Sequence, residues 1–416
     1  MSATKPFPIS KELVYIAWKR VKDNAGSAGV DKQSIKEFEK DLTNNLYRLW
    51  NRMASGTYFP PPVKAVSIPK KSGGERILGI PTVSDRVAQM VVKLVLEPIL
   101  EPIFLPDSYG YRPGKSALDA VRITRERCWK YDWVLEFDIR GLFDNIGHEL
   151  LLKALDQHVE EKWVRLYVRR WLVAPLQTAD GALVERTKGT PQGGVVSPVL
   201  ANLFMHYAFD MWMQRKYPDI PWCRFADDGI THCKSEAEAR EMLEALKLRF
   251  AECGLELHPA KTRIVYCKDG NRVGQYPNKK FDFLGYGFRS RGVKNKKTEQ
   301  LFSGFTPGVS DSALKSMRAK VRELDIRNRS DLSLGEIAEM VNPLLQGWIN
   351  YYGKFYPSAL YPLLRHINMT LVEWVMRKYR RFKRNRRSAV GLLDRIWEEQ
   401  PTLFAHWRCE MRGLFA

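Results

Sequence analysis

The chain is poor in cysteine. Its six residues of this type (Cys128, Cys223, Cys233, Cys253, Cys267 and Cys409, among 416) lie in different segments and form no Cys-x-x-Cys pair. That excludes a zinc ribbon and a disulfide scaffold and points to a reducing, intracellular setting. Long apolar runs are missing as well. No stretch approaches the ~18 apolar residues of a membrane-spanning helix, and no signal peptide is recognisable, so no membrane partner is expected. Acidic residues are in deficit: 47 Asp and Glu stand against 67 Lys and Arg, a net charge of +20. A surplus of that size points to a polyanionic partner, most simply nucleic acid. The length allows a large core and more than one domain.

The scarce acids are placed with purpose. In Trp222-Cys223-Arg224-Phe225-Ala226-Asp227-Asp228-Gly229-Ile230-Thr231 an apolar run enters, two adjacent carboxylates sit at the apex, and a β-branched run leaves. That reads as a β-hairpin with both acids on its turn. An ordinary Asp-Asp-Gly surface turn has the same pattern. A third acid, Asp138, ends the run Val134-Leu135-Glu136-Phe137-Asp138-Ile139, where alternation sets it on the face opposite Leu135, Phe137 and Ile139. If the two segments are neighbours, three carboxylates converge. Such a set suits two Mg²⁺ ions, which take carboxylates together with substrate phosphates and serve phosphoryl transfer.

Residues 1–60 read as a basic helical segment closed by Pro60-Pro61-Pro62. Val66 to Pro81 reads as a hairpin around Lys-Ser-Gly-Gly, with Lys70 and Arg76 as cations for a triphosphate, or as a solvated basic tip. Thr82-Val83-Ser84-Asp85 caps a helix. Ser108-Tyr109-Gly110-Tyr111-Arg112-Pro113-Gly114 is a turn-rich loop able to stack on bases or to form a buried corner. Phe143 is placed to lie under a nucleotide sugar, or simply in the core. Gly189-Thr190-Pro191-Gln192-Gly193-Gly194 leads into a helix over residues 199–213, with Gln192 a candidate nucleotide or template contact.

Ser235 and Ser333, each followed three residues later by Glu, open further helices. Leu255-Glu256-Leu257 and Phe281 to Tyr286 read as strands, so residues 61–288 form an α+β layer with a small antiparallel sheet. Arg289 to Lys297 is basic and marks a domain junction. Helices follow, the last from about 359 to 382. It runs into Arg377, Lys378, Arg380, Arg381, Lys383, Arg384, Arg386 and Arg387, a charge density that favours RNA or DNA contact over a solvated face. Residues 388–416 read as a short tail and a candidate DNA contact.

Taken together, these motifs resemble the reverse transcriptase–maturases encoded by bacterial group II introns. The likeness runs from Asn-Ala-Gly-Ser-Ala-Gly-Val-Asp near the start to Leu345-Gln346-Gly347-Trp348-Ile349-Asn350-Tyr351-Tyr352. It implies right-hand polymerase fingers and palm over 61–288, a helical thumb, or maturase, domain over 289–387, and an N-terminal extension of the fingers over 1–60. It further implies Asp138, Asp227 and Asp228 as ligands of two Mg²⁺ ions, and Lys70 and Arg76 on the triphosphate. Phe143 matches the sugar gate, Gln192 the nucleotide-contacting glutamine, and Lys261 a lysine that protonates leaving pyrophosphate.

The partners implied are the intron RNA, a DNA target and primer, and deoxynucleoside triphosphates, in a bacterial cytoplasm. The activity implied is RNA-directed DNA synthesis with help to splicing and retrohoming by target-primed reverse transcription. Two features depart from the family. Phe225 stands where Tyr is usual, and no His-Asn-His pattern or cysteine pair follows Trp407, so no endonuclease domain is expected. A maturase that only binds RNA, and a related polymerase of antiphage defence, are the alternatives.

Overall fold

Helices with explicit start signals dominate. Ser10, Ser34, Thr82, Ser235, Ser310 and Ser333 each accept a backbone N–H at a helix start, which satisfies a donor that the helix itself leaves free. The computed structural model describes residues 5–69, 74–294 and 298–409. Two compact units divide the chain. The first combines Met1–Ala120 with Leu135–Arg263, and the second Val121–Val134 with Ile264–Ala416.

In the first unit the helices Lys11–Asp23, Ile35–Lys40 and Leu42–Ala54 precede strands β1 (Val63–Pro69) and β2 (Glu75–Ile80). These two form the expected hairpin, with Ile68 opposite Arg76. Lys70 lies outside the described residues. Strand β3 (Trp133–Asp138) follows, then the short β4 (Leu176–Gln177) and β5 (Leu183–Val184), which extend the hairpin into a sheet of order β2-β1-β4-β5. Strands β6 (Trp222–Phe225) and β7 (Asp228–Cys233) join β3 in a second sheet, in the order β6-β7-β3, and β8 (Arg263–Tyr266) leads into the later segment of the second unit. The helix expected over 199–213 runs from Ser197 to Lys216 but is broken by a π-helical turn, His206–Asp210. Leu255-Glu256-Leu257 is not a strand: only Leu257 bridges, to Ile139.

The second unit contains β9 (Lys280–Phe283), β10 (Tyr286–Lys294) and β11 (Leu301–Val309) in one antiparallel sheet. Phe281 to Tyr286 is therefore two strands and a turn, made by left-handed Leu284 and Gly285 at φ 52° and 78°. The junction expected at residue 289 is the middle of β10, whose polar outer half is a solvated hairpin arm rather than a linker. Helices Asp311–Glu323, Leu334–Tyr352 and Tyr361–Lys378 bury one apolar core.

The last of these helices ends at Lys378, and the basic run beyond it is a corner. A 3₁₀ turn covers Arg380–Phe382, Arg384 is left-handed at φ 66°, and a new helix begins at Arg386. Nor are residues 388–409 a loose tail. Ala389, Leu393, Phe404 and Trp407 close the same core, since large apolar side chains bury wherever a surface is offered.

Candidate active site

The expected hairpin forms, with Phe225 opposite Asp228 and Arg224 opposite Gly229, but only Asp227 lies on its turn, because Asp228 already pairs as the first residue of β7. Its two-residue turn demands a left-handed residue, and here that residue is Ala226, at φ 58°. A non-glycine side chain in this conformation costs about 1–3 kcal/mol unless its surroundings over-determine it. They do. Arg224, fully buried, donates to both carboxylate oxygens of Asp210 at 2.7 Å, to Ser108 Oγ at 2.9 Å and to the Ala226 carbonyl at 3.1 Å. Asp210 reaches it from the π-helical turn. A side chain on Gly110 would lie 2.5 Å from the Ala226 nitrogen, so the loop before Tyr111 presses on the turn.

Strand β3 brings the third acid. The Ile139 N–H donates to the Asp227 carbonyl at 3.1 Å. Gly229 has to be glycine, because a Cβ there would fall 2.1 Å from the Phe137 ring. Asp228 shares a hydrogen bond with the Asp138 carboxyl. Burial, then Asp227 and Asp138, push the Asp228 carboxyl up to about 8. Burial and Asp138 raise Asp227 as well, against the pull of Lys261 and Arg76.

Lys261 Nζ sits 2.7 Å from Asp138 Oδ2. Burial lowers its pKa, but the Asp138 hydrogen bond and the three carboxylate charges outweigh that, and the net shift is upward. Two residues back from Asp138, Glu136 pairs with Arg263 at 2.8 Å.

The three predicted carboxylates thus come under one another's influence, with Lys261 and Arg76 beside them. Among the described residues no three acids, histidines or cysteines form a ready-made metal cage. The donor set nevertheless fits Mg²⁺: its oxygens are hard, and a carboxyl driven up to about 8 holds a proton where a cation would relieve the repulsion.

Gln192 and Phe143 are also near the site. The Gln192 carbonyl accepts from the Gly79 N–H at 2.8 Å, and its amide lies 3.4 Å from Asp144 Oδ2. Gly193, at φ 116°, has no room for a side chain, since a Cβ would lie 2.5 Å from the Gly79 carbonyl oxygen. Phe143 is half-buried, and its carbonyl accepts from the Thr190 N–H at 2.7 Å.

Behind this loop the Gln89 carbonyl oxygen accepts from the Val195 N–H at 2.7 Å, while its amide donates to Asp85 at 2.9 Å. Asp85, wholly buried, also takes Tyr58 Oη at 2.6 Å and Trp171 Nε1 at 2.7 Å. Burial raises its pKa, and the three donors oppose the rise. The basic run is elsewhere, in the second unit. Arg377 and Lys378 are bonded to Asn328 and the Leu332 carbonyl, whereas Arg380, Arg381, Lys383, Arg384, Arg386 and Arg387 are exposed.

Sequence reasoning gave no role to Arg224, Asp210 or Gln89, and read Asp85 only as part of a helix cap. Arg224 carries a signal, being a lone cation in an apolar strand, which is buried only when paired. Asp210 and Asp85 carry none.

Residues 68–288 match the family model of reverse transcriptases (RNA-dependent DNA polymerases), and residues 314–390 match the group II intron maturase-specific domain. The chain belongs to the reverse transcriptase family. Within it, the maturase-specific match places the chain with the proteins of group II introns. Protein YkfC of Escherichia coli is 30% identical over 308 residues, 63% of this chain and 76% of that protein. The group II intron-encoded protein LtrA of Lactococcus lactis is 31% identical over 198 residues, 47% of this chain but only 32% of that one. A solved structure of telomerase from Candida albicans overlays 90% of this chain and 68% of its own at 12% identity with a TM-score of 0.45, too loose a likeness to add to the assignment. Among the described residues no helix is long and apolar enough to cross a membrane.

Proposed function

We propose that the chain is an RNA-directed DNA polymerase whose metal-site carboxylates are Asp138, Asp227 and Asp228, and that it also binds its group II intron RNA to assist splicing and retrohoming by target-primed reverse transcription. One observation carries the polymerase reading: a β-hairpin holds two half-buried carboxylates against a third, at the cost of a carboxyl pushed up to about 8. Two bound Mg²⁺ ions would supply Lewis-acid activation of the attacking oxygen and stabilisation of the leaving one.

The chain's own groups do the rest. Arg76 and Lys70 hold triphosphate oxygens. Gln192 contacts the nucleotide, and Phe143 lies under its sugar and rejects a 2′-hydroxyl. Lys261, held on Asp138 at 2.7 Å, keeps a proton available for departing pyrophosphate. The maturase-specific match and the exposed cations at 380–387 support the RNA-binding part.

The test sets primer extension on an RNA template beside intron splicing, for wild type and Asp227→Ala. Extension is expected to fall by at least about a thousandfold, with splicing retained. Full-rate extension by the variant would remove the metal-site assignment. Splicing by a wild type that extends nothing would leave an RNA-binding maturase. Extension without any intron binding would favour a polymerase of another role.

A further inference from the structure

Tyr111 has no part in the function argued so far, yet its backbone and ring are held as a functional group would be. It is left-handed, at φ 58°, a conformation that bulky residues rarely adopt, and it is 52% exposed. Both flanks are fixed. On one side the Tyr109 N–H donates to the Arg224 carbonyl at 2.8 Å, and Gly110 abuts the Ala226 turn. On the other, Arg112 is tied to Glu101 at 2.6 Å and to the carbonyls of Leu105 and Ser108 at 2.6 and 2.8 Å. A strained backbone so firmly clamped presents one aromatic ring to open space.

That ring meets two others. It lies edge-on to Phe143, with centroids 6.3 Å apart at 79°, and tilted to Phe225, at 6.5 Å. Its hydroxyl feels the charges of Asp227, Asp228 and Arg76. The ring therefore neighbours both the residue read as the sugar gate and the strand that leads to the paired acids. Phe143 is only half-buried and belongs to a four-residue helix, Leu142–Asn145.

We propose that Tyr111 is a specificity-determining positioning residue of the nucleotide pocket, its ring holding Phe143 in the orientation that excludes a 2′-hydroxyl. The inference rests on Phe143 being the gate. It assigns the work to the aromatic face, with the hydroxyl incidental to sugar choice.

The experiment compares kcat/KM for a deoxynucleoside triphosphate and its ribonucleotide counterpart on one primer–template. The variants are Tyr111→Gly, Tyr111→Phe, Phe143→Ala and the double variant Tyr111→Gly/Phe143→Ala. Glycine removes the ring and suits a left-handed backbone, so loss of fold is not expected, and melting temperature checks this. Tyr111→Asn, which also tolerates that backbone, is the second ring-less variant.

Tyr111→Gly is expected to lower selectivity about tenfold, chiefly through a lower KM for the ribonucleotide, and Tyr111→Phe to keep the wild-type ratio. In the Phe143→Ala background, Tyr111→Gly should add nothing, because both changes act through one ring pair. An unchanged ratio in Tyr111→Gly beside a shifted one in Phe143→Ala overturns the proposal and leaves the gate standing. No shift in either removes the gate and Tyr111 with it. Equal losses in Tyr111→Phe and Tyr111→Gly, or additive losses in the double variant, also overturn it.

Discussion

Lys261 and Asp138 meet at 2.7 Å because the backbone brings them together. The His258 N–H donates to the Asp138 carbonyl at 2.8 Å, and the Lys261 N–H donates to the His258 carbonyl at 3.1 Å, so a turn hung on Asp138 delivers the lysine to that same residue. The site is thus polarised: Asp138 has a cation, while Asp228 shares its hydrogen bond with another acid.

This polarity sets a pH dependence for the metal-free protein. Asp228 titrates near 8 when folded, against an ordinary value of 3.8. Between those values the folded chain binds the extra proton, so stability from this group is full below about 4 and is lost as pH rises to about 8. Melting in a chelator is expected to drop by a few degrees more for wild type than for Asp228→Asn between pH 5 and 8, roughly the size a kcal/mol-scale effect gives. Added Mg²⁺ should restore the wild type most at the alkaline end. Parallel curves for the two proteins would mean that Asp228 is not so shifted.

Gly229 tests the closeness of β7 and β3. Gly229→Ala forces a methyl to within 2.1 Å of the Phe137 ring, so the strands must part. A stability loss of about 1–3 kcal/mol is expected, typical of overpacking, together with a fall in extension as Asp228 leaves Asp138. Denaturant titration beside extension checks both, and Phe137→Leu should recover part of each.

Arg224 tests the support behind the turn. Arg224→Met leaves the Asp210 carboxylate buried without its partner and is expected to cost about 3–5 kcal/mol. Arg224→Met with Asp210→Leu removes the orphan charge and should regain most of that stability. Extension should stay low in the double variant, since the Ala226 carbonyl still lacks its donor. Full recovery of extension would make the pair a matter of stability alone.

The hairpin and its acids were legible because turn residues, alternation and charge all fell within ten residues. Asp138 was legible from alternation alone, and Ser235 and Ser333 from their spacing to Glu238 and Glu336. Other features left no local trace. Strand β10 continues through Arg289 to Lys294 with solvent on much of its surface, so no apolar period marks it, and its basic run imitates a linker. The corner after Lys378 hides for the opposite reason: buried Phe382 extends the apolar pattern, while nothing in the sequence announces that Arg384 turns left-handed.

That corner changes the form of the basic surface but not its expected role. Changing Arg380, Arg381, Arg384 and Arg387 to Gln is expected to weaken intron RNA binding and to flatten its salt dependence by about 0.7–0.9 in log–log slope for each phosphate left without its cation. Extension of a pre-annealed primer–template at saturation should change far less. Binding titrated against salt decides it, and an unchanged slope would make the corner a solvated face.

Asp85 draws a wider consequence from a single carboxylate. Tyr58, Gln89 and Trp171, spread over more than a hundred residues of chain, all direct their polar hydrogens to it, and through Gln89 it also steadies the loop that carries Gln192. A lineage that drifts by single substitutions cannot drop one of these donors without leaving the buried carboxylate short of a partner. Nor can it neutralise the charge without stranding three donors. The four positions are therefore free to change only in step, so an altered Gln192 loop is reached most easily by leaving this knot untouched and varying the residues in front of it.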